Sequence, residues 1–167
     1  GGEIRLKIPV IASAMDGVTD VAFCIQMSKL GGLGVINLEG VQTRYENPAE
    51  IFQEIVTASK EQVTALIQKI YLEPIKEELI SRRIQELKQA GALAAVSSIP
   101  QKAERFSAIA QEAGADLFVV QSTVSTVRHI SKEYKSLELA DLTRSLKIPV
   151  IIGNAVTHSV THELMQC

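Results

Sequence analysis

Five short apolar runs punctuate the chain, at residues 8–14, 33–38, 93–99, 117–121 and 148–153. Each is rich in Val, Ile, Leu or Ala and lacks a clean in–out alternation. Strands buried on both faces read this way, and such strands belong to parallel sheets. Several of the runs end in small or polar residues: Ser13, Ser97-Ser98, Gln121-Ser122 and Gly153-Asn154. Small groups at the carboxyl ends of parallel strands leave room for a ligand. Helical periodicity fills the gaps. Residues 21–30 predict a helix with Thr19 or Asp20 as N-cap and Gly31-Gly32 as its stop. Residues 75–90 carry Ile75, Leu79, Ile80, Ile84 and Leu87 along one stripe, with Pro74 just ahead. Residues 103–113 bring Phe106, Ile109, Ala110 and Ala113 together before Gly114, residues 137–146 repeat the pattern, and a last helix starts near His158.

The phrase Lys7-Ile8-Pro9-Val10-Ile11 recurs in kind as Lys147-Ile148-Pro149-Val150-Ile151, and Gly91-Ala92-Leu93 echoes Gly114-Ala115-Asp116-Leu117. A helix ends in glycine and a strand begins, the rhythm of right-handed βαβ units. Two architectures satisfy it, an eight-fold parallel β/α barrel and an open doubly wound sheet, and periodicity alone does not separate them. No Gly-x-Gly-x-x-Gly follows the first strand, which weighs against a dinucleotide-binding open sheet. One interval is long. More than one crossover helix fits between the second and third strands, and residues 48–58, 60–72 and 75–90 all read as helical, so 46–92 is expected to form a helical crossover within a single unit spanning 1–167.

Composition changes this picture little. Hydrophobic residues make up 46% and charged residues 22%, as in a globular domain, and the net charge is −2. No basic patch points to nucleic acid, and Lys76, Lys88 and Arg82-Arg83 read as solvated helix faces. No apolar run approaches the roughly 20 residues of a membrane span, and the opening residues carry no apolar leader, so no membrane partner and no signal peptide are expected. Cys24 and Cys167 are far apart and lack metal-ligand spacing. Cys24 reads as a packed thiol, and a reducing, cytoplasmic setting suits both. His129, His158 and His162 share no motif; the last two lie on one helix face, where a surface pair is expected rather than a metal site.

The segment Ile8-Pro9-Val10-Ile11-Ala12-Ser13-Ala14-Met15-Asp16-Gly17-Val18-Thr19 resembles the first barrel strand and loop of IMP dehydrogenases and GMP reductases. Leu30-Gly31-Gly32-Leu33-Gly34-Val35-Ile36 resembles their second strand, and Gly153-Asn154-Ala155-Val156-Thr157 their fifth. The order and spacing of the three matches make the resemblance specific, and it covers essentially the whole chain. Asn37-Leu38-Glu39-Gly40-Val41-Gln42-Thr43-Arg44-Tyr45-Glu46 and Glu73-Pro74-Ile75-Lys76 are similar to an IMP dehydrogenase-related subgroup, some members of which look like GMP reductases.

The resemblance implies a parallel (β/α)8 TIM barrel, here its first five βα units, a tetramer when full length, a purine nucleoside monophosphate substrate and NADP or NAD as cofactor. In the family a cysteine thiolate attacks carbon 2 of the purine, and hydride passes between that carbon and the nicotinamide. The Gly-rich loop that carries that cysteine, and the phosphate loops beyond it, have no counterpart in these 167 residues, so no catalytic residue is assigned and the segment alone is expected to be inactive. By resemblance Ser13, Met15 and Asn154 would bind substrate, while Gln121, Ser122, Thr123 and Gly153 would lie against the cofactor. Each has a plainer account: a small residue and a core Met, a strand-end polar cap, or a turn residue satisfying local backbone. The family's usual Asp in the fourth strand, which holds the cofactor ribose, is Gln121 here, and its His-Lys pair after the second strand is Asn37-Leu38. Asp16 could orient the first loop or simply form an Asp-Gly turn. Arg44 and Tyr45 could reach a phosphate or a neighbouring subunit, with solvent exposure the simpler expectation.

The paired regulatory module common in IMP dehydrogenases does not fit into the short helical interval before residue 92, which favours reduction of GMP to IMP with NADPH; oxidation of IMP to XMP with NAD is the alternative. A reading of another class is a non-catalytic nucleotide-binding or assembly module, because five strands leave sheet edges open.

Overall fold

The computed structural model describes residues 3–122, 128–129 and 137–167. Its strands, in chain order, are β1 (Ile11–Ala12), β2 (Leu33–Asn37), β3 (Ala95–Ser98), β4 (Leu117–Gln121), β5 (Arg128–His129), β6 (Leu137–Glu138) and β7 (Val150–Gly153). The helices are α1 (Val21–Leu30), α2 (Pro48–Thr57), α3 (Val63–Leu72), α4 (Glu77–Gln89), α5 (Pro100–Glu112), α6 (Leu139–Ser145) and α7 (His158–Met165), with a 3-10 turn at Val41–Thr43. Five strands form one sheet in the order β1-β2-β3-β4-β7, and every neighbouring pair is parallel.

The two faces of that sheet are chemically distinct. Ile36, Val96, Phe118 and Val120 point outward into the main core, where they meet Cys24 of α1, Ile80, Ile84 and Leu87 of α4, Phe106 of α5 and Leu142 of α6. The alternate residues Leu33, Val35, Ala95 and Leu117 form a second cluster with Ile4, Leu6 and Leu93, to which no helix contributes. Helices therefore pack on one face, and the strands run in sequential order. A doubly wound sheet needs helices on both faces and a reversal of strand order. The arrangement is the first part of a parallel β/α barrel.

Local chemistry sets the element ends. Asp20 Oδ1 accepts the Phe23 amide at 2.7 Å and starts α1. Gly31, at φ 90°, closes it with amide bonds from Gly31 and Gly32 back to Ser28 and Met27. β1 pairs over only two residues of the expected 8–14, since Pro9 has no amide to donate to a ladder. α5 begins three residues earlier than the periodicity suggests, because Pro100 occupies the first helical turn, where its missing amide costs nothing. α4 starts at Glu77 rather than Ile75; the Lys76 amide instead donates to Thr43 O at 2.8 Å. The expected helix at 137–146 is shortened to α6, because Leu137–Glu138 pairs antiparallel with Arg128–His129 in a separate ribbon too short to register as an alternation.

Three charged or polar positions depart from the sequence expectation. Arg83 is not a solvated face residue: it is 5% exposed, and its guanidinium donates to the carbonyls of Gln42, Tyr45 and Glu46 and to the Glu86 carboxylate. Arg44 and Tyr45 are half-buried rather than exposed. The Tyr45 hydroxyl donates to Ile70 O at 3.0 Å, and Arg44 donates to the carbonyls of Glu39 and Glu73. In each case carbonyls of the long connection shielded from water need partners, and side-chain donors on neighbouring turns supply them.

Candidate functional site

Because the five strands are parallel, their last residues gather at one end of the sheet. Asn37 is opposite Ser97, Ser98 opposite Val120, and Gln121 opposite Gly153. Two adjoining cavities open there. The larger, about 480 Å³, is lined by Asn37, Glu39, Ser97, Ser98, Gln121 and Asn154 among others. The smaller, about 250 Å³, lies on the inner face and is lined by Ser13, Val35, Val119, Ile151 and Gly153. Ala14, Gln121 and Asn154 border both.

Of the residues singled out from sequence, Ser13, Gln121, Ser122, Gly153 and Asn154 border these cavities. Ser122 and Asn154 are tied through the backbone: the Ser122 amide donates to Gly153 O at 2.8 Å, and the Asn154 amide to Ser122 O at 3.0 Å. Met15 borders neither cavity. It is 50% exposed, its amide donates to Ser13 O, and its carbonyl accepts from Val18 and Thr19, so its backbone shapes the loop. Thr123 lies outside the described residues.

Sequence reasoning missed Glu39. Its Oε1 accepts the Ser98 hydroxyl at 2.9 Å and the Ile99 amide at 3.2 Å. Burial raises its pKa above the ordinary glutamate value, opposed by those two hydrogen bonds and by the charges of Lys102 and Arg44. The signal for it was present. Leu33 and Val35 face inward, and the two-residue period carries the same face through Asn37 to Glu39 at the strand end.

The loop after β1 is held from outside. Asp16 accepts the Val41 amide on both carboxylate oxygens, at 2.9 and 2.8 Å, and also accepts the Tyr71 hydroxyl. The Arg44 guanidinium lies 5.4 Å from the centre of the Tyr71 ring, and its Nε donates to Glu39 O at 3.1 Å. Gly40 makes the close approach possible, since a Cβ there would sit 1.9 Å from Asp16 Oδ1. Asp16-Gly17 is thus more than a turn: it fastens the first loop to the backbone that follows Glu39.

Neither thiol faces the cavities. Cys24 is buried in the outer core, and burial, reinforced by the charge of Asp20, pushes its pKa up to about 12. Cys167 lies near Thr143, Val150 and Ile152 on the outer side of the sheet. The rings of His158 and His162 are parallel, 6.3 Å apart, and no group of three metal-ligating side chains occurs among the described residues. None of the described helices is long and apolar enough to cross a membrane.

Sequential parallel strands, helices on one face and a polar cavity at the carboxyl ends define the first part of a β/α-barrel protein. Comparison narrows the class: the chain belongs to the IMP dehydrogenase / GMP reductase family, whose domain model matches residues 1–167. It is 32% identical over 167 residues to an uncharacterized oxidoreductase of Mycolicibacterium smegmatis, covering 97% of this chain and 44% of that protein. It is 27% identical over 181 residues to the inosine-5′-monophosphate dehydrogenase of Cryptosporidium parvum, covering 98% of this chain and 41% of the other. The crystal structure of an IMP dehydrogenase/GMP reductase-like protein from Corynebacterium glutamicum superposes with a TM-score of 0.88 at 30% identity, over 96% of this chain and 43% of that one. The chain thus spans less than half the length of these relatives.

Proposed function

We propose that this chain is the substrate- and cofactor-positioning part of a purine-nucleotide oxidoreductase that, at full length, reduces GMP to IMP with NADPH. The observation that carries the reading is the polar cavity at the strand ends of a chain in this family. Its lining suits a purine and a nicotinamide. Asn154 and Gln121 each offer an amide with one acceptor and two donors, the complement of a base edge or a carboxamide. Ser13 at the smaller cavity offers a hydroxyl that donates or accepts. The nicotinamide group supplies hydride transfer when bound; the residues here orient the partners and exclude water, the entropic share of catalysis.

The attacking thiol is assigned outside these 167 residues. Cys24 is buried among helices with its thiol held protonated, and Cys167 packs on the outer side of the sheet. GMP reduction is preferred because the connection from β2 to β3 is taken up by the 3-10 turn, α2, α3 and α4, with no inserted regulatory module. Oxidation of IMP with NAD is the second reading, favoured by the match to the Cryptosporidium parvum protein of that name. Full-length protein mixed with GMP and NADPH, and separately with IMP and NAD, tests the choice through nicotinamide absorbance. Turnover of the first pair is expected, as is a rate unaffected by Cys167→Ser. Turnover of IMP alone, or loss of the rate in Cys167→Ser, would overturn the assignment.

A further inference from the structure

We propose that Glu39 is a specificity-determining residue that binds the ribose diol of a nucleotide in the larger cavity. The inference rests on the nucleotide reading above and adds a residue and a chemical group to it.

Among the described residues Glu39 supplies the only carboxylate lining that cavity; Asn37, Ser97, Ser98, Gln121, Ser122 and Asn154 are all neutral. Its two oxygens are used unequally. Oε1 already accepts the Ser98 hydroxyl and the Ile99 amide, which fixes the orientation of the group. Among the described residues no donor reaches Oε2, which leaves that oxygen as an acceptor for a ligand. Arg44 and Lys102 lie near enough for their charges to favour the carboxylate, yet neither forms an ion pair with it: Arg44 is occupied with the carbonyls of Glu39 and Glu73, and Lys102 lies 5.8 Å from the Phe106 ring centre.

Chemistry selects the ligand group. An ionised carboxylate only accepts hydrogen bonds, so whatever sits against Oε2 must donate. A phosphate is repelled. A base edge or a carboxamide presents donor and acceptor together, which the amides of Gln121 and Asn154 match and Glu39 does not. A vicinal diol presents two donors on adjacent carbons, and the open lone pairs of one oxygen accept both. Ser98 is the second half of the device, since its hydroxyl prevents the carboxylate from turning away.

The diol could be that of the purine monophosphate or that of the nicotinamide nucleotide, and binding measurements on the full-length protein separate them. Calorimetry with GMP, 2′-deoxy-GMP and NADPH is compared for the wild type and Glu39→Gln. Gln retains the acceptor for Ser98 and Ile99, so the fold is preserved; circular dichroism checks it. Loss of a charge-assisted bond is expected to weaken one nucleotide roughly tenfold or more. A weakened GMP, with its advantage over 2′-deoxy-GMP abolished, assigns the purine ribose; a weakened NADPH with GMP unchanged assigns the cofactor ribose.

A pH series provides a second readout. The wild-type affinity for that nucleotide should fall as pH drops through the raised Glu39 pKa, while Lys102 and Arg44 stay charged, and the Glu39→Gln affinity should lack that component. Unchanged affinities for both nucleotides in Glu39→Gln would overturn the inference and leave the functional reading standing. A wild type that binds neither nucleotide would overturn both.

Discussion

Replacing Asp16 with Ala removes the clamp between the first and second strand loops. The cost follows from its partners. Val41 is fully buried, and its amide donates to both oxygens of the Asp16 carboxylate. A hydrogen bond to a charged group contributes about 1.5–3 kcal/mol, and a buried amide left without a partner costs about 1–3 kcal/mol. The two figures describe overlapping parts of one loss, so about 3 kcal/mol is expected for Asp16→Ala. The Tyr71 hydroxyl adds little, because Tyr71 is 40% exposed and water replaces its acceptor. Asp16→Asn keeps one side-chain oxygen for Val41 and should lose about half as much.

Native-state hydrogen exchange on the full-length protein reads the local term directly. At about 1.4 kcal/mol per tenfold, the protection of the Val41 amide should fall roughly a hundredfold in Asp16→Ala, and neighbouring amides of β3 should change far less. A double-mutant cycle with Tyr71→Phe should give a coupling energy below about 1 kcal/mol. If Val41 protection changes less than twofold in Asp16→Ala, the carboxylate is not what holds this loop, and the account of Gly40 as a close-approach residue fails with it.

Further tests bear on other parts of the molecule. Gly40→Ala, whose Cβ would overlap Asp16 Oδ1, should reproduce most of the Asp16→Ala loss in urea unfolding; wild-type stability would refute the clash. Arg83→Met should destabilise by about 3 kcal/mol, because Glu86 and three carbonyls lose a buried partner, and Arg83→Lys should fail to rescue it, since one ammonium cannot span that fork. Cys24 has a folded pKa raised to about 12 from the 9.0 of a free thiol. The fold thus favours the thiol: that stability is present below pH 9 and is lost as pH rises towards 12. Cys24→Ser should remove this component of the alkaline unfolding profile, and an aromatic disulfide reagent should leave Cys24 unmodified until the protein unfolds.

Legibility in the sequence followed burial. β2 and β4 are bounded by glycines or helix ends and buried on both faces, so their apolar runs and their observed spans nearly coincide. β1 is an edge strand preceded by Pro9, and there hydrophobicity overstates pairing: Val10 and Ile11 are about half exposed. The ribbon of β5 and β6 is two residues wide and has no period to detect. The site divides in the same way. Ser13, Gln121 and Asn154 end apolar runs, and that alone marks them. Glu39 follows the buried Leu38 and reads as the start of a loop; only the inward alternation from Leu33 reveals it. Met15 stands next to the site in sequence, and its amide and carbonyl are both taken up by the turn after β1. The partners of Arg44 and Arg83 were beyond reach, because they are main-chain carbonyls, and carbonyls carry no sequence signature.

The long connection between β2 and β3 is best understood through those arginines. α2 has no buried residue, and α3 buries only Ile70, so neither helix is needed to complete the core. Yet α3 presents Tyr71 to Asp16, the turn after it presents Glu73 O to Arg44, and Arg44 in turn holds Glu39 O. Starting from Asp16, the chain of contacts runs through Tyr71 and Arg44 to the backbone of Glu39, whose carboxylate lines the larger cavity. The excursion buttresses a loop from its solvent side, where a barrel offers no neighbouring strand to do so. A site on strand ends needs that support most at its first two strands, since β1 contributes only two paired residues to the sheet. Rigidity that a longer β1 would provide by ladder hydrogen bonds is supplied here by a carboxylate, a phenol and a guanidinium, all outside the cavity they stabilise.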